Sequence, residues 1–261
     1  MSKAFMKDLL KNKQEGNYFF SSIKTAWAKE SLERSKEFVY SKHLNPSSSW
    51  MTWDGCPYDG IRQQAAGREA MEADKIQYLE TGNFFHKGFG EWALKIPGLL
   101  WDKPTFTTSE ENKKLEENWP EWPVYWKDYE LSLRIDHVLN IKDEPCVVDL
   151  KIPQRASEVW SKYRTTLPEE THMCQAALGA LALKRMGIVN PTRIGVLYFN
   201  PRITPKGVDG YKECYRPFDK EIEDRTMVLV EAAYLELTLF LQGKNEGCQY
   251  VGCKRHHGEA K

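Results

Sequence analysis

No run of eighteen apolar residues occurs in this chain, so no segment reads as a membrane span and we expect no membrane partner. It has no excess of either charge. Its 37 Lys and Arg balance 37 Asp and Glu, which argues against a generally basic coat but leaves room for a local basic groove. The opening residues, MSKAFMKDLLKNKQ, lack the apolar stretch and cleavage site of a secretory signal. Cysteine is scarce: six in 261 residues are too few for a disulfide scaffold in a reducing compartment. These absences together lead us to expect a cytoplasmic setting. There is no internal repeat.

What the chain does have is length, tryptophan and a well-marked order of segments. At 261 residues it can bury a full core, as one domain with an elaboration or as two small ones. We expect a helical region over 1–95 packed on a core over 96–243, and a Cys- and His-containing tail over 244–261. Helices are expected over 22–39, from Gly60 to Gly82, and again from Gly82 through Trp92, where Phe85, Phe89 and Trp92 recur at three and four and His86 flanks the apolar side. Ser109 can cap a short exposed helix, which WPEWP then stops. Nine tryptophans are many, and five of them (Trp92, Trp101, Trp119, Trp122 and Trp126) lie within 35 residues. They either cover a sheet or stack on bases in a nucleic-acid groove.

The chemistry is concentrated between Leu131 and Gln175. Val124 to Glu130 opens the sheet. In the strand that follows, Leu131, Leu133 and Ile135 share one face, and Arg134 and Asp136 the other. IKDEP is a charged turn. In the next strand, Val148, Leu150 and Ile152 share a face, and Asp149 and Lys151 lie opposite with Val147. An acid and an amine inside an apolar run must be paired, hydrated or bound to metal. If the two strands form a hairpin, Asp136 comes level with Asp149. Two such carboxylates repel unless one is protonated or a cation lies between them, and a hard ion such as Mg²⁺ takes these ligands. A lysine beside that ion can hold or deprotonate a water. The plainer alternative for each acid is a buried salt bridge to Lys151 or Arg134.

After a polar stretch carrying Arg155, Lys162 and Arg164, a broadly apolar helix runs from Glu169 to Met186, interrupted by the polar Gln175 and stopped by Gly187. A strand over Arg193–Phe199, another over Gly210–Phe218 and a long helix over Phe218–Leu241 capped by Asp219 complete the pattern. The expected fold is α/β: a mixed sheet of four or five strands with helices on both faces and an N-terminal helical elaboration.

Four segments in this order, Gly82-Asn-Phe-Phe-His86, Arg134-Ile-Asp136, Asp149-Leu-Lys151 and Gln175-Ala-Ala-Leu-Gly179, resemble the motifs of the PD-(D/E)xK nuclease superfamily, in its RecB-like and Cas4-like exonuclease branch. The resemblance covers about residues 45 to 200. It departs from the family where Gly179 replaces a tyrosine and where no glycine precedes Asp136. It implies a restriction-endonuclease-like core and a DNA exonuclease dependent on Mg²⁺ or Mn²⁺, acting in recombination, repair or phage-type DNA processing, inside the host cell if phage-encoded. Asp136, Asp149 and the Leu150 carbonyl would hold the ion, with His86 as an added ligand. Lys151 would orient the attacking water, and Gln175 would hold the lysine or the DNA backbone. Arg134, Arg155, Lys162 and Arg164 would line the DNA path. A recombination or helicase protein is an expected partner.

Cys56-Pro57 resembles the segment in the same branch whose cysteine joins three near the C-terminus to hold a [4Fe-4S] cluster. Here the C-terminal end offers Cys248 and Cys253, with Asn245 at the position of the third. Cys214 or a histidine would have to complete an atypical site, and Cys-x4-Cys-x2-His also suits Zn²⁺. Three other functions stay open: an endonuclease of the same fold, a catalytically silent DNA-binding or assembly protein, and a metal hydrolase for small phosphates.

Overall fold

The stretch from Leu131 that alternates like one strand is two strands, and the break falls on Asp136. A computed structural model describes residues 51–65, 73–104, 121–153, 157–201 and 210–244, with positions 23, 25, 26, 28, 29, 44, 155, 247, 248, 250 and 253. The chain divides into two units, residues 1–40 with 64–84, and residues 41–63 with 85–261. The sheets and the candidate site belong to the second.

Strand β1 (Trp122–Trp126) pairs antiparallel with β2 (Leu131–Ile135), Trp122 opposite Ile135 and Trp126 opposite Leu131. Trp122, Val124 and Trp126 are buried while Pro123 and Tyr125 face out, the period of two that a half-covered sheet requires. At Asp136 the chain leaves this ribbon and β3 (His137–Ile141) enters a second sheet with β4 (Glu144–Lys151), β5 (Arg193–Phe199) and β6 (Tyr211–Pro217). Its order is β3-β4-β5-β6. The β4–β5 pair is parallel and its neighbours antiparallel, so this is a mixed sheet of four. The charged turn after β3 has Lys142 at φ 56° and Asp143 at φ 62°, two left-handed residues in succession, as a tight hairpin of matching twist needs.

A parallel β4–β5 pair needs a crossover. It is supplied by two helices, α3 (Ser157–Tyr163) and α4 (Glu170–Arg185), in the chain between the strands. Every residue of α4 from Met173 to Leu183 except Gln175 is buried. Periodicity is lost because α4 is covered twice: β4 and β5 lie on one side, and a long helix over Lys220–Leu241 packs against it too. That last helix is capped by Asp219, whose Oδ1 accepts the Ile222 N–H at 3.0 Å. Gly187, at φ +68°, ends α4. On the opposite face of the mixed sheet Leu139, Cys146 and Val148 pack with Leu99, Leu100 and Leu197.

Two helices lie earlier in the chain, α1 (Pro57–Ala65) and α2 (Ala73–Ala93). The second runs through Gly82, where a new helix was expected to start. An interior glycine costs a helix only about 1 kcal/mol, which twenty other residues can absorb. Of the helix expected over 22–39, the described positions 23, 25, 26, 28 and 29 are helical and the rest lie outside the described residues, as does the helix capped by Ser109. The architecture is mixed α/β, and no described helix is long and apolar enough to cross a membrane.

Candidate active site

Asp136 lies at the corner where the chain passes from one sheet to the other. The register of β3 on β4 sets His137 opposite Val148, which brings Asp136 level with Asp149. Asp136 Oδ2 accepts the Leu150 N–H at 2.7 Å. Asp149 and Lys151 leave β4 on the same face, and Lys151 Nζ donates to Asp149 Oδ1 at 3.0 Å. The same ammonium donates to Gln175 Oε1 at 2.8 Å. Gln175 is thus the one polar break in the buried stretch of α4 because it faces the lysine. His86, thirteen residues into the helix Ala73–Ala93, sets Nδ1 3.6 Å from Asp136 Oδ2. It is held there from the sheet's other face, where Phe85 and Phe89 pack their rings on Phe199 at 5.8 and 4.9 Å. A cleft of about 180 Å³ opens beside the two acids, with Arg134 and Gln175 in its wall.

Burial dominates the electrostatics. It pushes Asp136 up to about 6, against the pull of the Leu150 N–H and the Lys151 charge. It pushes Asp149 up to about 7; Lys151 opposes that shift and Asp136 adds to it. Burial also lowers His86, and Lys151 lowers it further, while the Asp149 and Glu121 charges and the Leu150 carbonyl beside the ring pull the other way. Near neutral pH the centre therefore presents two reluctant carboxylates and a neutral imidazole. Asp149 Oδ2 is buried and makes no hydrogen bond, but it is ion-paired with Lys151 Nζ at 2.9 Å. Hard carboxylate oxygens on two buried acids, sharing one lysine and lying beside a neutral imidazole, fit a divalent ion such as Mg²⁺ or Mn²⁺.

The structure brings His86, Asp136, Asp149, Lys151 and Gln175 together, and the Leu150 carbonyl lies beside His86. Arg134 is mostly exposed at the cleft, 3.8 Å from Glu121. Arg155 is tied through its backbone to the Asn200 side chain, and its guanidinium lies 4.0 Å over the Tyr163 ring. Lys162 is exposed on α3, and the Arg164 carbonyl accepts from Lys212 Nζ at 2.7 Å. Gly179, where the resemblance has a tyrosine, lines that cleft, but a Cβ there would sit 3.1 Å from Ile135 Cγ1 and 3.3 Å from Val147 Cγ1. Its size sets how closely α4 approaches the strands, and a tyrosine could not replace it without moving them.

Sequence reasoning missed three residues at this place. His172, one turn before Gln175, meets the Tyr198 hydroxyl at 2.9 Å, and the Tyr198 hydroxyl accepts the Glu169 N–H at 3.1 Å. Tyr198 is the β5 partner of Lys151, so these residues back the lysine. Glu121 stands immediately before β1 and was read only as part of a Trp-Pro loop. Counting back along the β1–β2 ribbon from Asp136 would have found it.

A second cluster is made of sulfur. The Sγ atoms of Cys56, Cys248 and Cys253 lie within 4.8 Å of one another, the one such set of three among His, Cys, Asp and Glu in the described residues. His86, Glu121, Asp136 and Asp149 form no set of three at that spacing. Cys56 and Cys248 are 4.0 Å apart, and Cys56 Sγ accepts the Asp59 N–H at 3.4 Å. Burial first, and the neighbouring thiols with it, push the Cys56 and Cys248 thiols up, so without a metal these two stay protonated. Cys214 does not join them: it lies on β6 opposite Val196. His256 and His257 lie outside the described residues. Three thiols fit a thiophilic ion that takes a fourth ligand from elsewhere, and fall one short of a four-cysteine set.

No family model matches this chain, and no curated protein matches it.

Proposed function

We propose that this chain is a divalent-metal-dependent deoxyribonuclease with a restriction-endonuclease-like core, working as an exonuclease in recombination, repair or phage-type DNA processing. The observation that carries the reading is the arrangement of Asp136, Asp149 and Lys151: two buried acids level with each other, and a lysine held by one acid and by Gln175. A buried salt bridge alone would need one acid. The second, Asp136, has no Lys or Arg ion pair among the described residues and shares the field of the same Lys151, so it calls for another positive charge.

Asp136 and Asp149 would hold the ion, with His86 and the Leu150 carbonyl beside them. When bound, such an ion supplies charge for the phosphoryl oxygens and makes water more acidic. Lys151 has its donors directed by Asp149 and Gln175, and it orients the attacking water and meets the negative charge that develops on phosphorus. The water oxygen bonds to phosphorus as the bond to one sugar oxygen breaks, and that oxygen takes up a proton. His86, neutral by burial, is ready to accept. Arg134 and the stretch from Arg155 to Arg164 offer local positive charge to the DNA backbone despite the zero net charge.

The cysteine cluster completes the reading as a structural metal site, taking Zn²⁺ or an iron–sulfur cluster. Support comes from three convergent buried thiols contributed by positions 56, 248 and 253. None of the six cysteines forms a disulfide, which suits a reducing cytoplasmic interior. DNA, and a recombination or helicase protein, are the proposed partners.

The test is a digest of linear duplex, single-stranded and closed circular DNA, end-labelled where there is an end, in Mg²⁺, Mn²⁺ or EDTA. Metal-dependent loss of linear DNA alone supports the exonuclease. Cutting of circles moves the reading to an endonuclease of the same fold, and binding without cutting in any metal moves it to a silent DNA-binding protein.

A further inference from the structure

We infer that Glu121 is a further cation ligand of this centre, on the side of Asp136 that faces His86; the inference rests on the metal-centre reading above. The placement follows from strand pairing. Trp122 is opposite Ile135 and Pro123 is opposite Arg134, so one step back along the ribbon Glu121 falls across from Asp136. The backbone there is anchored, since the Glu121 carbonyl accepts from Lys103 Nζ at 2.8 Å and the next side chain, Trp122, is 3 % exposed. The carboxylate is turned inward: its Oε2 is buried and has no hydrogen-bond partner.

The cation nearest to it is a poor partner. Arg134 Nη1 is 3.8 Å away, beyond hydrogen-bond length, on a side chain that is 77 % exposed. A solvated guanidinium at that distance does little to offset the burial of a carboxylate oxygen. The charge of Glu121 instead reaches inward, to both His86 and Asp136. A separate observation points to a ligand at the same place: Asp149 is 5 % exposed, and its Oδ2 is buried without a hydrogen bond, with only the Lys151 ammonium at 2.9 Å to offset the charge of the two strand acids. Glu121, Asp136 and Asp149 thus set three acids, level with one another across the strands, against the single ammonium of Lys151. A divalent cation with its water shell balances the rest.

The test is Mn²⁺ binding followed by electron paramagnetic resonance, on the full chain without DNA, for wild type and Glu121→Gln. The variant keeps shape and removes charge, and its metal-free thermal midpoint is recorded beside it. The expected result is a metal-free fold like wild type and Mn²⁺ affinity at least about tenfold weaker. If Glu121→Gln does not fold, Glu121→Asp takes its place, with an affinity between the two expected. Either variant binding Mn²⁺ as wild type does overturns the inference and leaves the centre's reading intact. A wild type that takes up no Mn²⁺ overturns both.

Discussion

The acid centre and the cysteine cluster solve the same problem, several buried ligand-type groups in one place, in opposite ways. At the acid centre the groups are anionic when ionised, and the protein supplies a cation of its own, Lys151, bonded to Asp149 and Gln175. At the cysteine cluster burial keeps the Cys56 and Cys248 thiols neutral, and three Sγ atoms stand within 4.8 Å of one another. A site that carries its own lysine can change charge during a reaction. A site of neutral thiols gains by binding a metal and keeping it. The first is therefore suited to chemistry and the second to holding residue 56 against the C-terminal segment.

The sharpest way to break this contrast is Asp149→Ala. Cleavage should fall by at least about a hundredfold, the scale for losing a charge-stabilising group. The fold should survive, because a repulsion with Asp136 is relieved. Rates on labelled linear DNA, with circular dichroism of the same sample, check it; a variant that still cuts removes Asp149 from the metal site. Cys56→Ala should do the reverse. Metal content measured by mass spectrometry should drop, and the thermal midpoint should fall by about 5 °C or more, while Mg²⁺-dependent cleavage at low temperature persists.

How far these residues could be read from sequence differs between the two regions for a physical reason. Asp149 and Lys151 were legible because a period of two within one strand puts them on one face. Gln175 was legible as a polar break in an apolar helix. The sheet switch at Asp136 was not, since alternation of Leu131, Leu133 and Ile135 runs up to the bend without marking it. Glu121 was hidden because its position depends on a ribbon register, not on any local pattern. Cys56 and Cys248 are 192 residues apart, a separation at which only a family resemblance could suggest contact. The resemblance marked Gly179 as a departure without a reason for it, and close packing against Ile135 and Val147 supplies one.

Two smaller effects refine the comparison. Burial raises the Asp149 carboxyl to about 7, far above its value in an unfolded chain. The stability this group contributes is thus full below about pH 4 and is lost as pH rises toward neutrality. In EDTA, Asp149→Asn should melt a few degrees above wild type at pH 8, and the gap should narrow at pH 5; a constant gap would deny the shift. Gly179→Ala should cost about 1 kcal/mol, from crowding against Ile135 and Val147. Denaturant unfolding measures it.

The central claim is that Lys151 works on the reaction and the acids hold the ion. Its most direct test measures Mn²⁺ affinity and single-turnover cleavage of linear DNA on the same preparation of Lys151→Ala. The account predicts Mn²⁺ binding at least as tight as wild type, since a competing cation is gone, and cleavage slowed by at least about a hundredfold. Cleavage at the wild-type rate, or loss of Mn²⁺ binding with the fold intact, would contradict it.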